Sequence, residues 1–406
     1  MNPTRGEGLQ TLERFLPRAG TSYAQGRNFV PGVVSGLSPY LRHRLITEAE
    51  VVAAVLQQHS RNEAEKFIQE ICWRTYWKGW LELRPQVWLE YLHDLQTLRA
   101  GMKSEPAMHH LVQKAENGMT GIGCLDAWVS ELRQTGYLHN HVRMWFASIW
   151  VHTLRLPWQL GADFFMRYLL DGDPASNTLS WRWVCGLQTQ GKVYLATAEN
   201  IERFTDGCHA PHGLLAREAP PIKGPVTLHP PLPLARPDHH IQGEKTALLV
   251  TEEDLLPEDW DIPPRDITTI FLVNTADAYP GIGELPVAWK QKSLEGTAER
   301  LAAEFQCPVL SLEGGIESIA SRLHGLLRDH GVQSLSIMAP PVGPTHGVIV
   351  PMLSELAGER FHLRRLRRSW DQAFWPHATH GFFKLKERIP SVLKQLSSIT
   401  SSMSDR

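Results

Sequence analysis

Apolar positions in the first 215 residues recur every three to four places over 44–58, 62–84, 106–116, 124–155 and 161–171, the spacing of amphipathic helices. Clusters of Gly, Pro and Ser such as VPGVVSGLSP punctuate them. From about residue 246 the pattern changes. Short apolar runs (ALLVT, TIFLVN, CPVLSL, SLSIMA and FHLRRL) alternate with longer amphipathic ones (SLEGTAERLAAEF, GIESIASRLHGLLRDH, GVIVPMLSELAGE and FKLKERIPSVLKQL), which predicts a parallel sheet covered by helices on both faces. Between the two parts, residues 211–244 hold eight prolines in 34 positions and read as a semi-extended connection. The expected organisation is a helical part (1–215), a Pro-rich linker (216–244), an α/β part (245–397) and a disordered tail (398–406), with no internal repeat.

Length and charge narrow this only a little. At 406 residues the chain is long enough for two or three domains, each with its own core. Its net charge is −2 and no basic block stands out, so any nucleic-acid site must be a local patch. Five cysteines, an odd number without CxxC spacing, point to reduced thiols in a cytoplasmic protein. No apolar run reaches the length of a membrane span, and the start MNPTRGEGLQ has no signal-like apolar core. A soluble globular protein with no membrane partner is expected.

The candidate chemistry concentrates in residues 135–183. On a helix, Asn140, Arg143, Met144 and Ala147 share one face, and Asn177 and Trp181 stand four apart. An amide and a guanidinium on a core-facing stripe need partners, because burying an unpaired polar group costs about 1–3 kcal/mol. Asp171 and Asp173, close together in DGDPASNTLSWRW, invite cations, for which Arg143 and Arg74 are the candidates. Two readings stand: an ion-pair network that only braces helices, or the wall of a polar site. In FIQEICWRTYWKGW, Glu70, Trp73, Arg74 and Trp77 form one helical stripe. A carboxylate and a guanidinium between indoles suit a planar ligand, stacked on the rings and hydrogen-bonded at its edge. SGLSPYL is a short Gly/Ser loop ahead of a helix, either an ordinary cap or a phosphate-binding turn.

Three motifs carry little. GLQTQGKV ends in Val193 where a phosphate-binding loop needs Ser or Thr, and it follows a helical run. Cys208-His209-x-x-His212 lacks a second ligand pair, so no metal is expected. No GxGxxG follows the first strand, which leaves a nicotinamide dinucleotide fold unsupported.

Taken in order, Tyr23-x-x-x-Arg27, SGLSPYL, EICWRTY, TGIGCLDAWVSEL, TGYLHNHVRM, DGDPASNTLSWRW and Tyr194 resemble the photolyase/cryptochrome flavoprotein family, and within it the cyclobutane pyrimidine dimer photolyases. The resemblance runs from about residue 5 to 206. It implies an all-α FAD-binding domain. Tyr23, Ser35, Leu37 and Ser38 would hold the FAD phosphates, and Arg74, Asn140, Arg143, Asp171 and Asp173 would surround its ring and sugar. Asn177 would sit beside flavin N5, where repair members of the family have Asn. Glu70, Trp73, Met144 and Trp183 would receive the lesion, flipped out of damaged DNA, and light-excited reduced FAD would split it by electron transfer. A monomer is expected. A blue-light receptor or FAD-binding signalling protein without repair activity is the alternative.

The chain also departs from the family's pattern. Trp181 and Trp158 match two members of its electron-relay triad, but the third position is Ala115, with Trp150 or Trp145 as substitutes. Val34, Thr178 and Leu179 replace Thr/Gly positions around the pocket. The α/β part, Rossmann-like and similar to the family's antenna domain, follows the helical part instead of preceding it, so a circularly permuted order is implied. APPVGPTHG stands where polar ligands for an antenna pigment would be expected, which leaves an antenna unsupported.

Overall fold

The computed structural model describes residues 1–189, 191–219, 222, 229–314, 316–356 and 361–404. Its first half is helical: α1 (Arg5–Phe15), α2 (Thr21–Gly26), α3 (Ser38–Arg42), α4 (Glu48–Gln58), α5 (Glu65–Glu82) and α6 (Gln86–Gly101). There follow α7 (Pro106–Glu116), α8 (Gly123–Thr135), α9 (Asn140–Ser148), α10 (Trp158–Tyr168), α11 (Pro174–Val184) and α12 (Ala198–Phe204). The single run expected over 124–155 is two helices. Gly136 ends α8 in the left-handed region (φ 67°) and donates its N–H to Leu132, which only a residue without Cβ does cheaply. A π-helical turn, Ile149–Thr153, prolongs α9. Helix α6 lies outside the segments read as helical.

The second half holds five strands: β1 (Thr246–Thr251), β2 (Ile267–Val273), β3 (Val309–Leu312), β4 (Ser334–Met338) and β5 (His362–Leu366). All neighbours pair in parallel, in the order β3-β2-β1-β4-β5. Helices α13 (Glu284–Phe305), α14 (Ile316–Asp329) and α15 (Pro344–Leu356) make the crossovers; α16 (Ser369–Phe374), α17 (Phe382–Lys386) and α18 (Ile389–Ser404) close the chain. The run expected as one helix over 383–396 divides before Pro390, which sits in the first turn of α18, where its missing N–H costs nothing. Helix α18 continues to Ser404, into the stretch expected to lack structure. There Leu396, Ile399 and Met403 keep the apolar helical spacing despite the serines; residues 405 and 406 lie outside the described residues. Described residues 229–241 form neither helix nor strand, and Leu232 N–H donates to the Leu83 carbonyl at the end of α5.

The cores do not separate at the linker. Phe15, Tyr40, Val51, Phe67 and Cys72 of the helical half share one apolar cluster with Leu248, Val250, Ile270, Trp289 and Phe374. One face of the sheet therefore packs on the helical half, and the opposite face has its own cluster around Phe271, Leu323 and Leu353. Strand order reverses between β1 and β4, the place where doubly wound sheets open a crevice at their carboxyl ends. Here the crevice is filled. Arg42 bonds Glu253 through two parallel contacts of 2.6 and 2.7 Å, His43 meets the Glu252 carbonyl at 2.7 Å, and Arg44 reaches Asp254 at 3.2 Å and Asp371 at 2.5 Å. No described helix is long and apolar enough to cross a membrane.

Candidate functional site

Helices α5 and α9 border two cavities of about 330 and 560 Å³, and α11 borders the smaller. Glu70, Arg74, Asn140, Arg143, Met144 and Asp171 border both, so the two are lobes of one cleft. Trp73, Asp173, Asn177, Trp181 and Trp183 line the smaller lobe; Tyr23, Ser35 and Ser38 line the larger. Leu37 does neither with its side chain, which is fully buried in the apolar core; its backbone N–H donates to Ser35 Oγ at 3.3 Å within the same turn.

The stripe on α9 differs from expectation. Asn140 is exposed, and Arg143 and Met144 are half-buried, while Val142, Trp145 and Phe146 take the core side. The polar stripe faces the cleft and not the core, which removes the need for a partner at Asn140.

Each expected acid–base pair forms. Arg143 donates to Asp171 Oδ2 at 2.9 Å and to the Leu138 carbonyl at 2.9 Å. Asp173, the N-cap of α11, accepts from Ser176 N–H at 2.8 Å, with Arg74 at 3.4 Å and Lys78 at 3.9 Å. Burial alone would raise the Asp173 carboxyl, but Arg74, Lys78 and Arg42 outweigh it and hold the group far below the usual carboxylate range. Burial pushes the Tyr23 phenol up, and the Glu70 carboxylate adds to this.

Two atoms are left for a ligand. Asp171 Oδ1 is buried with no hydrogen-bond partner, at the border of both lobes. Asn177 Nδ2 donates to the Ala162 carbonyl at 2.8 Å, which can only accept, so Oδ1 is the end of the amide free to accept in turn. Glu70, by contrast, is already paired: Arg27 donates to its Oε1.

Aromatic packing sets the indoles. Trp73 stacks on Phe382 of α17 at 3.8 Å and 13°, and Trp183 stacks on Tyr194 at 5.6 Å. Trp181 lies over Gly161, where a Cβ would come within 2.3 Å of its ring. Trp150 meets Trp181 edge-on at 6.3 Å, while Trp145 stacks with Trp128 and His141 instead. Trp158 stacks on Tyr91 at 5.7 Å, and Ala115 is buried in the same core. Arg27, Phe382 and Tyr194 as backing partners were not singled out for these roles. Nothing local ties Phe382 to Trp73, which is 309 positions away.

Elsewhere, His212 pairs with Glu202 at 2.8 Å and His209 packs edge-on against Trp128. Among the described residues no cluster of His, Cys, Asp and Glu could hold a metal. Gly186 and its neighbours form a turn after α11; Gln190 in that motif lies outside the described residues.

Residues 67–206, which contain α9, α11 and all but the first two residues of α5, match the FAD binding domain of DNA photolyase. This part of the chain is similar to the photolyase/cryptochrome family. It is 35% identical over 193 residues to the deoxyribodipyrimidine photo-lyase of Agrobacterium fabrum, covering 45% of this chain and 39% of that protein. To the enzyme of the same name from Escherichia coli it is 30% identical over 197 residues, covering 46% of this chain and 40% of that protein. The chain thus spans about two fifths of the length of these relatives. A class III photolyase structure from Agrobacterium tumefaciens aligns with a TM-score of 0.42 at 30% identity, over 50% of this chain and 42% of that one. The residues present fit FAD: Asp171 keeps a buried carboxylate oxygen without a partner, the Asn177 amide oxygen is fixed and free to accept, and a Ser/Gly turn borders the larger lobe.

Proposed function

We propose that this protein is an FAD-dependent enzyme that uses blue light to split cyclobutane pyrimidine dimers in DNA. The observation that carries this reading is the backing of two indoles: Trp73 rests on Phe382 and Trp183 on Tyr194, and both border the smaller lobe. Platforms braced on one side suit a planar dipyrimidine swung out of the duplex. Glu70, with Oε1 held by Arg27, keeps Oε2 for the edge of the bases, and Met144 fills the space beside them.

When bound and reduced, FAD supplies the electron that light sends to the dimer and that returns after its ring bonds break. The residues of the chain bind and orient. Asp171 Oδ1 and Asn177 Oδ1 would accept from ring N–H groups, and Arg74 and Arg143, their charges balanced by Asp173 and Asp171, would help to hold the ring. Tyr23, Ser35 and Ser38 would take the phosphate end in the larger lobe, and Leu37 positions their turn through its N–H on Ser35 Oγ. Asn140, at the shared border, would hold the sugar. Trp181, with Trp150 and Trp158 behind it in the same core, forms the electron route.

Purified protein should carry flavin absorption and remove dimers from irradiated DNA only in light. Glu70→Ala should lower repair by about tenfold or more, from loss of a charged hydrogen bond, while flavin content stays within about twofold; equal loss of both would contradict the assignment. One observation favours a blue-light receptor instead, namely the buried Ala115 at the third relay position. Bound flavin without light-dependent loss of dimers would establish that reading. We also read the order of the halves as a circular permutation of the family's. A chain cut within 216–244 and rejoined in the opposite order should fold and bind flavin as well as the parent; failure to load flavin would argue against it.

A further inference from the structure

The chain is acidic overall, yet residues 380–394 carry Lys384, Lys386, Arg388 and Lys394 against one acid, Glu387. At their centre stands Phe383, 74% exposed. This ring is held rigidly. Its neighbour Phe382 is stacked on Trp73, Leu385 is fully buried, Tyr76 donates to the His380 carbonyl at 2.9 Å, and Lys386 meets Glu65 at the start of α5 at 3.2 Å. The centroid steps from Trp73 to Phe382 (3.8 Å) and from Phe382 to Phe383 (6.3 Å) put the exposed ring within about 10 Å of the indole that borders the cleft, or about three base steps of DNA. Lys384 is exposed and its pairing with Glu387 at 3.4 Å is a weak surface contact, and Arg388 is exposed as well. One apolar ring among cations is too small for a protein-docking patch. It has the make-up of a stacking wedge flanked by phosphate contacts.

We propose that Phe383 enters the base stack at the gap left when a dipyrimidine swings into the cleft, while Lys384 and Arg388 seat the neighbouring phosphates. The proposal rests on the repair reading above and places part of the DNA surface on the α/β half of the chain. It predicts a difference between duplex and single-stranded substrates, because only a duplex has a gap to fill.

The test uses the FAD-loaded protein, a duplex with one thymine dimer and 2-aminopurine opposite it, and a five-nucleotide single strand with the same dimer. Wild type should bind both more tightly than undamaged controls and brighten the 2-aminopurine. F383A should lose about tenfold or more in duplex affinity, the scale of one stacked aromatic, and the brightening, yet bind and repair the short strand within about twofold of wild type. F383L, which can still wedge, should fall between. Unchanged duplex binding by F383A, or equal loss on both substrates, overturns the wedge alone. No preference of the wild type for the dimer in the short strand overturns the repair reading and the wedge with it.

Discussion

The carboxylates after β1 and those before α11 meet the same kind of partner, an arginine from another element. After β1, Glu253 takes Arg42 on both oxygens and Thr345 on one, and Asp254 takes Arg368 on both, with Arg44 and the Trp260 indole completing it. Before α11, Asp171 takes Arg143 on Oδ2 and nothing on Oδ1. In the first network Glu253 and Asp254 have donors for every carboxylate oxygen, and Glu253 borders a cavity of only about 20 Å³. The second borders a cleft and keeps an acceptor in hand. Residue type does not distinguish a brace from a site here; the distinction is leftover valence next to leftover volume.

The comparison breaks most visibly at Arg42. Arg42→Ala leaves Glu253 buried without its counter-charge and should cost about 3–5 kcal/mol, read as a lower urea midpoint; a loss below about 1 kcal/mol would mean the network is not closed. Acid should attack the same place. Burial alone would raise Glu253 and Asp254, but Arg42 and Arg368 hold both down to about 2. Their stabilising contribution is complete above the ordinary carboxylate range and disappears as pH falls from about 4 through 2. His43, pushed down to about 3 by burial and then by Arg42 and Lys290, starts the decline earlier, since the unfolded chain takes up its proton below about pH 6.5. An unfolding midpoint that is flat between pH 6.5 and 3 would contradict this.

In the open network the effect should move from folding to binding. Asp171→Asn should weaken FAD binding by about tenfold or more, the worth of one charge-assisted hydrogen bond, and change apoprotein stability by less than about 1 kcal/mol. Titration of apoprotein with FAD separates the two. Gly161→Ala acts on the same lobe: its Cβ would press on the Trp181 ring, which should cost about 1–3 kcal/mol of stability and shift the flavin spectrum as the indole is displaced into the lobe.

How far these regions could be read in advance depended on range. The five strands were legible as short strand-like runs between turn residues, apolar in all but β5, which reads HLRRL. Their order was not, since it follows from crossovers that periodicity does not encode. The break at Gly136 had a local signal, a glycine after the last apolar position of α8, and so did α6, where Trp88, Tyr91 and Leu95 keep helical spacing. That Asp171 and Asp173 draw Arg143 and Arg74 followed from charge alone; which acid takes which arginine did not. That Asp171 keeps one oxygen free, that Glu70 is held by Arg27, and that Trp73 lies on Phe382 did not.

By itself the sequence determined the helical faces, the strand segments and the chemical inventory of the cleft, because these depend on residues within a turn or two of each other. The tertiary structure decided which arginine–carboxylate pairs close into a brace and which border a cavity. Arg42 and Glu253 are 211 positions apart, and whether a carboxylate keeps a free oxygen depends on every element that packs around it.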